Sequence, residues 1–259
     1  MKCYNAFGIK PTNTYTSAGT DYYIPNLDTP EKVQLAYKAY EKSYGKTIEE
    51  IRDIARKINM ILEDKKSNIP VEQIPNLTQL FLAIYDPELE ECKNTSMLMT
   101  IDYFISEFVI YDEKNNKVGV KMHLNDTLFV NSGIKIALDT VLSDKVDENQ
   151  FAVNILRALN IGIAGLYVNK SGNGNKGWDV RACLVDEDYA GFVHLSMSYT
   201  KEVIENKQNV VYCGDKLTQM MLIPIFHDEY VETEEDNYDK IMENSQRGDK
   251  GFGSSDIKH

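Results

Sequence analysis

Two periodicities alternate along this chain. Residues 1–28 set β-branched and aromatic side chains between Gly8, Pro11, Gly19 and Pro25, which is the punctuation of extended segments joined by turns. From Thr29 the period lengthens to that of a helix. Thr29-Pro30 supplies a capping hydroxyl and a proline for the first helical position; Val33, Tyr37, Tyr40 and Tyr44 follow at helical spacing, and Gly45 ends the run. Thr47 and Glu50 form a capping box for a second helix, whose apolar stripe is Ile48, Ile51, Ile54, Ala55, Ile58 and Ile61 or Leu62. A third helix carries Leu77, Leu80, Phe81 and Ile84. A fourth starts at Ser96 and carries Met97, Ile101, Phe104, Ile105 and Phe108. From Val118 the short period returns. Leu124, Leu128-Phe129-Val130 and Ile134 to Leu138 read as short strands with a turn at Asn131-Ser132-Gly133, and residues 150–225 continue in the same way. Many short strands with turn signals predict a mainly β protein, a sandwich, barrel or jelly roll. Residues 29–111 interrupt it as a block of amphipathic helices.

Composition narrows the functional classes. The chain has 259 residues, 28 Lys and Arg against 40 Asp and Glu, and a net charge of −12. That length buries a core without staples, and that charge argues against a general nucleic-acid or anionic-membrane binder. A polyanionic ligand would need a locally positive site within an acidic whole. Cys3, Cys92, Cys183 and Cys213 show no metal-ligand spacing, which fits a reducing compartment better than a disulfide framework. The opening residues lack an apolar signal core, and the longest apolar run, Leu80 to Tyr85, is too short to span a bilayer. The expected setting is soluble and cytoplasmic, with no nucleic acid and no membrane as partner. His123, His194, His227 and His259 show no ligand spacing.

The chemistry concentrates near the C-terminus. Arg247-Gly248-Asp249-Lys250-Gly251-Phe252-Gly253-Ser254-Ser255 puts glycines, two hydroxyls, an aromatic ring and an arginine within one short stretch. Glycines let backbone N–H groups turn toward phosphate oxygens, the serines add donors, Arg247 adds fixed charge and Phe252 offers a face for a base. Four other segments precede it in order: Ala18 to Pro25; Asn169-Lys170-Ser171-Gly172 with Lys176-Gly177; Leu184-Val185-Asp186-Glu187-Asp188-Tyr189-Ala190-Gly191; and Gly214 to Gln219.

Together these five segments resemble the motifs of the trimeric dUTPases (dUTP pyrophosphatases), with phrasing around Lys170 and Asp186 similar to that of phage-type members. The resemblance covers roughly residues 10–28 and 120–255. It implies a dUTPase-like jelly-roll or β-barrel, with residues 1–28 and 112–225 as the β domain; the helical pattern makes 29–111 an inserted α-helical subdomain, and the acidic run makes 226–259 an arm leading to a glycine-rich C-terminal lid. It implies magnesium-dependent hydrolysis of dUTP to dUMP and pyrophosphate, with Asp186 activating water and Tyr189 stacking on deoxyribose. Lys170, Ser171, Gly172 and Gln219 would meet the phosphates, and many relatives have arginine where this chain has Lys170. Arg247, Phe252, Gly253, Ser254 and Ser255 would close over the nucleotide, and Asp21 would orient magnesium-bound waters. The backbone between Gly177 and Cys183 would read the uracil edge. A homotrimer with composite sites is implied as well. The Asp186-Glu187-Asp188-Tyr189 turn looks like the dUTPase form and not like a dCTP deaminase. The other reading is a dUTPase-like regulatory module that binds a protein partner through residues 29–111.

Overall fold

In the computed structural model, residues 2–13, 18–85, 97–138, 154–155, 158–181, 183–202, 209–227, 232, 234 and 240 are described. The expected tail residues Arg247, Phe252, Gly253, Ser254 and Ser255, and Cys92, lie outside them. The architecture is mainly β, with helices between strands, as the pattern predicts.

The helices follow their local signals. Helix α1, Pro30–Tyr44, is capped by the Thr29 hydroxyl, which accepts from the Lys32 amide at 3.3 Å, and it ends at Gly45 in the left-handed region at φ 61°. Helix α2, Ile48–Asp64, carries the predicted capping box between Thr47 and Glu50. Such a cap contributes about 1 kcal/mol. Helix α3, Ile74–Ala83, is enclosed, and its buried polar residues are all engaged. The Asn76 carboxamide oxygen accepts from the Leu27 amide at 2.8 Å, and Gln79 donates to the Pro25 carbonyl at 2.7 Å. These bonds tie α3 to the extended N-terminal segment and leave no buried polar cost uncompensated. Helix α4 runs Met97–Glu107.

All described strand pairs are antiparallel. One sheet has the order β1 (Lys2–Asn5), β6 (Thr127–Ala137), β10 (Phe192–Tyr199), β8 (Trp178–Val180), with β3 (Ile84–Tyr85) also on β6. A second is β11 (Val210–Tyr212), β5 (Lys117–Lys121), β4 (Val109–Asp112). The third is β2 (Thr20–Tyr23), β12 (Lys216–Phe226), β7 (Ile161–Asn169), β9 (Leu184–Val185). The main core joins helices to sheets: Ile54 and Ile58 of α2, Leu77 and Leu80 of α3 and Ile101 of α4 pack in one cluster with Val120, Leu128, Trp178 and Met197. Burying each such side chain contributes roughly 1.5–3 kcal/mol. A second cluster seats α1, through Ala36 and Tyr40, on Phe7 and Leu27.

Two sequence expectations change. Asn131-Ser132-Gly133 is not a turn, because β6 runs straight through it, paired with β1 on one side and β10 on the other. Gly133 takes φ 72°, and the pairing with β10 shifts register between Phe192 and His194. The glycine therefore serves a bulge and not a reversal. The polar pair turns inward: Ser132 donates to the Val193 carbonyl at 2.7 Å, and Asn131 accepts from the Gly133 amide at 2.9 Å. The polar stretch after Lys170 is likewise a short helix, α5 (Ser171–Lys176), ending at Gly177 with φ 101°. Its glycines disfavour a helix. The Asn173 side chain holds it by donating to the carbonyls of Lys216 and Leu217 at 3.1 and 2.7 Å.

Candidate functional site

Strand pairing in the third sheet gathers three of the sequence segments. Gln219 on β12 sits opposite Asp21 on β2 and opposite Val168 on β7. Lys170 and α5 follow directly from the end of β7. At this sheet end the Lys170 ammonium bonds Oδ1 of Asp21, and Lys216 bonds Oδ2 at 2.9 Å. Gln219 donates to the Asn169 carbonyl at 3.4 Å, and the Asn169 side chain accepts from the Val180 amide at 2.9 Å.

Lys216 was missed in the sequence, although its segment was read as informative. In a regular strand, residues 216 and 219 would face opposite sides. The register slips between Lys216 and Thr218, so Lys216 pairs with Tyr23 while Thr218 pairs with Tyr22. That bulge turns Lys216 to the side of Asp21. Its ammonium also lies 5.7 Å from the Tyr23 ring centre.

The electrostatics follow. Burial works against an ionised Asp21, but the hydrogen bonds and charges of Lys170 and Lys216 outweigh it and hold the carboxyl below its ordinary value. The hydrogen bond and charge of Asp21 raise Lys216 above its ordinary value. Two ammonium groups meet the Asp21 carboxylate here, and the Asp179 carboxylate accepts from the Asn169 side chain beside them at 3.0 Å. The side chains of Lys170 and Lys216 stay 28% and 49% exposed. Gly172, at the open end of α5, would admit a Cβ with nothing within 4 Å, so the approach is clear.

The Asp186 segment lies elsewhere. Strand β9 pairs Val185 with Gly165, four residues along β7 from Asn169. That is roughly 13 Å along the strand. Asp186 is exposed, and its carbonyl closes a tight turn by accepting from the Tyr189 amide at 3.2 Å. The Tyr189 ring folds over Gly191, where an added Cβ would meet the hydroxyl oxygen at 2.5 Å; that hydroxyl donates to the Phe192 carbonyl at 2.8 Å. Partial burial raises the Tyr189 pKa. One chain therefore unites Asp21, Lys170, Ser171, Gly172 and Gln219, and holds Asp186 and Tyr189 apart from them. In the stretch expected to read a base, Trp178 is buried, and the amides of Val180 and Arg181 already bond Asn169 and the Ser196 carbonyl.

The dUTPase family model matches residues 133–256, just under half of the chain, a span that holds every residue singled out above for chemistry except Asp21. Residues 133–256 are thus similar to the dUTPase family. The deoxyuridine 5′-triphosphate nucleotidohydrolase of a Hydrogenobaculum species is 30% identical over 74 residues, 29% of this chain and 44% of that enzyme. The Gag-Pro polyprotein of sheep pulmonary adenomatosis virus is 28% identical over 117 residues, 45% of this chain and 12% of the polyprotein. The chain thus spans less than half the length of these curated relatives. A solved Staphylococcus bacteriophage 80alpha dUTPase with dUpNHpp shares 16% identity, with 63% of this chain and 93% of that one covered, at a TM-score of 0.37. A likeness that low carries no argument about the site.

Magnesium was expected near Asp21. Among the described residues no group of three or more His, Cys, Asp or Glu side chains could hold a metal ion, and both Asp21 oxygens are taken by lysines. The described side chains around Asp21 therefore do not form a protein-held ion site. Among the described residues, no helix is long and apolar enough to cross a membrane.

Proposed function

We propose that this chain hydrolyses dUTP to dUMP and pyrophosphate. The observation that carries the proposal is the dUTPase family match across residues 133–256, which contains the Lys170, Asp186, Gln219 and Arg247 segments in order. The geometry supports it in two ways. The two ammonium groups of Lys170 and Lys216, gathered at one sheet end, suit a triphosphate. The exposed Asp186 carboxylate suits a base that must reach water.

On this reading Asp186 takes a proton from the water that attacks phosphorus. Tyr189 stacks on deoxyribose and leaves no room for a 2′-hydroxyl. Lys170, Ser171, Gly172 and Gln219 hold the phosphates, Lys216 joins them, and Arg247, Phe252, Gly253, Ser254 and Ser255 close over the nucleotide and exclude water. Magnesium, when bound, would offset the negative charge of the triphosphate. Asp21 could orient magnesium-bound waters only after releasing Lys170 or Lys216, so no step is routed through the ion. Asp186 and Gln219 lie on separate parts of one chain, so we propose a homotrimer in which neighbours complete each site. We also keep the division into a β framework of 1–28 and 112–225, an insertion at 29–111, and an arm and lid at 226–259.

The rival reading, a regulatory module binding a partner through 29–111, has less support. The apolar faces of α2, α3 and α4 are already buried in the core they share with the sheets. Pyrophosphate release from dUTP, UTP, dCTP and dTTP tests the proposal. The expected outcome is turnover of dUTP far above the other three; no turnover of dUTP would overturn it.

A further inference from the structure

A pocket of about 550 Å³ lies between α1 and the sheet formed by β1, β6 and β10, away from the Asp21 cluster. That volume is in the range of small-molecule sites. Its sheet side is a cross-strand row: Lys135 of β6 sits opposite Tyr4 of β1 and opposite Phe192 of β10. The Lys135 ammonium lies 4.9 Å from the Phe192 ring centre. Its helix side presents Lys38 and Lys42, one turn apart on α1. Tyr189 closes a third side.

The chemistry of this lining is one-sided. The chain holds 40 acidic residues against 28 basic ones, yet no described carboxylate lines the pocket and three lysines do. Glu41, next to Lys42 in sequence, accepts from the Ile48 amide instead. Unopposed ammonium groups around a concave wall focus positive potential there. Tyr4 and Tyr189, 57% and 41% exposed, add ring faces beside the charges. Cations with exposed aromatic faces in a small cavity fit an organic phosphate that carries a ring.

We propose that this pocket binds the phosphates of a nucleotide through Lys38, Lys42 and Lys135, with Tyr189 or Tyr4 against its ring. Two of these lysines come from α1, so the helical block takes part in ligand binding and is not only a packing element. The pocket stands whether or not the chain turns over dUTP; the two readings share only Tyr189.

The test is lysine acylation of the full chain, read residue by residue by mass spectrometry, with and without inorganic pyrophosphate and dUMP. Protection of Lys38, Lys42 and Lys135 is expected, together with a pyrophosphate affinity about tenfold weaker in a K38Q/K42Q double variant. Both substitutions are on exposed positions of α1, so the fold should persist, and an unchanged melting temperature checks this. Protection of Lys170 and Lys216 alone, with K38Q/K42Q binding unchanged, would overturn the pocket and leave the dUTP reading standing. Protection of the three pocket lysines in a protein that does not hydrolyse dUTP would keep the pocket and remove the other reading.

Discussion

The two motif groups of this chain are built in opposite ways. Asp21, Lys170, Lys216 and Gln219 belong to paired strands and their immediate extensions, locked by two ion pairs to one carboxylate. Asp186 and Tyr189 occupy a turn beyond the two-residue strand β9, with Asp186 exposed and the Tyr189 side chain held by one described hydrogen bond. Groups that would hold phosphate charge are thus organised before any ligand arrives. Groups proposed for the chemistry sit on a light support that another element must complete. Rigid scaffolds carrying reactive residues on loops are a common division of labour.

The strongest way to break this comparison is Asp186→Asn. Loss of a general base costs about 10²–10⁴ in rate, and an exposed turn residue contributes little to the fold. Turnover should fall by that factor while dUTP binding and melting temperature stay close to the parent. Near-normal kcat would place the base elsewhere.

Subunit mixing sharpens it. If the locked cluster of one chain serves the turn of another, Asp186→Asn chains and chains lacking residues 247–259 should each be inactive alone and regain part of the activity when refolded together. No rescue, with a monomeric mass by light scattering, would mean that one chain builds its own site.

How much of this was legible in the sequence differs between the groups. The helices were readable because Thr29, Gly45, Thr47 and Glu50 are local signals, and local bonds satisfy them. The order of the motifs carried the resemblance to dUTPases, because that information is linear. Lys216 was hidden because its facing depends on a bulge against β2, which no residue spacing announces. Asn131-Ser132-Gly133 was misread for the same kind of reason: a positive-φ glycine marks a turn or a bulge, and only the two neighbouring strands decide which. The pocket of Lys38, Lys42 and Lys135 was illegible because its residues are nearly a hundred positions apart along the chain.

Gly191→Ala probes the light support directly. An added methyl would meet the Tyr189 hydroxyl at 2.5 Å and its ring carbons at 2.6 and 3.1 Å, so the ring must swing away. A displaced platform lowers kcat/KM for dUTP by roughly 10–100-fold, and the preference over UTP should narrow with it. Steady-state rates on both nucleotides check this. An unchanged preference would show that Tyr189 does not select deoxyribose.

Asp21→Asn probes the locked cluster, and its effect is the smallest. The folded pKa of Asp21 lies below its ordinary value of 3.8, so the ionised carboxylate favours the folded state. That contribution is fully present above the unfolded value and is lost as pH falls through the folded one. At neutral pH the variant should lose about 1 kcal/mol, a modest cost because Lys170 and Lys216 keep access to water. The gap between parent and variant should then close as the solution is acidified below 3.8. Urea unfolding at neutral and acidic pH measures both. A gap that stays constant on acidification would mean that the carboxylate's charge does not matter and that its shape alone holds the two lysines. In that case the locked and the light regions would differ in packing, and not in the electrostatic preparation of a phosphate site.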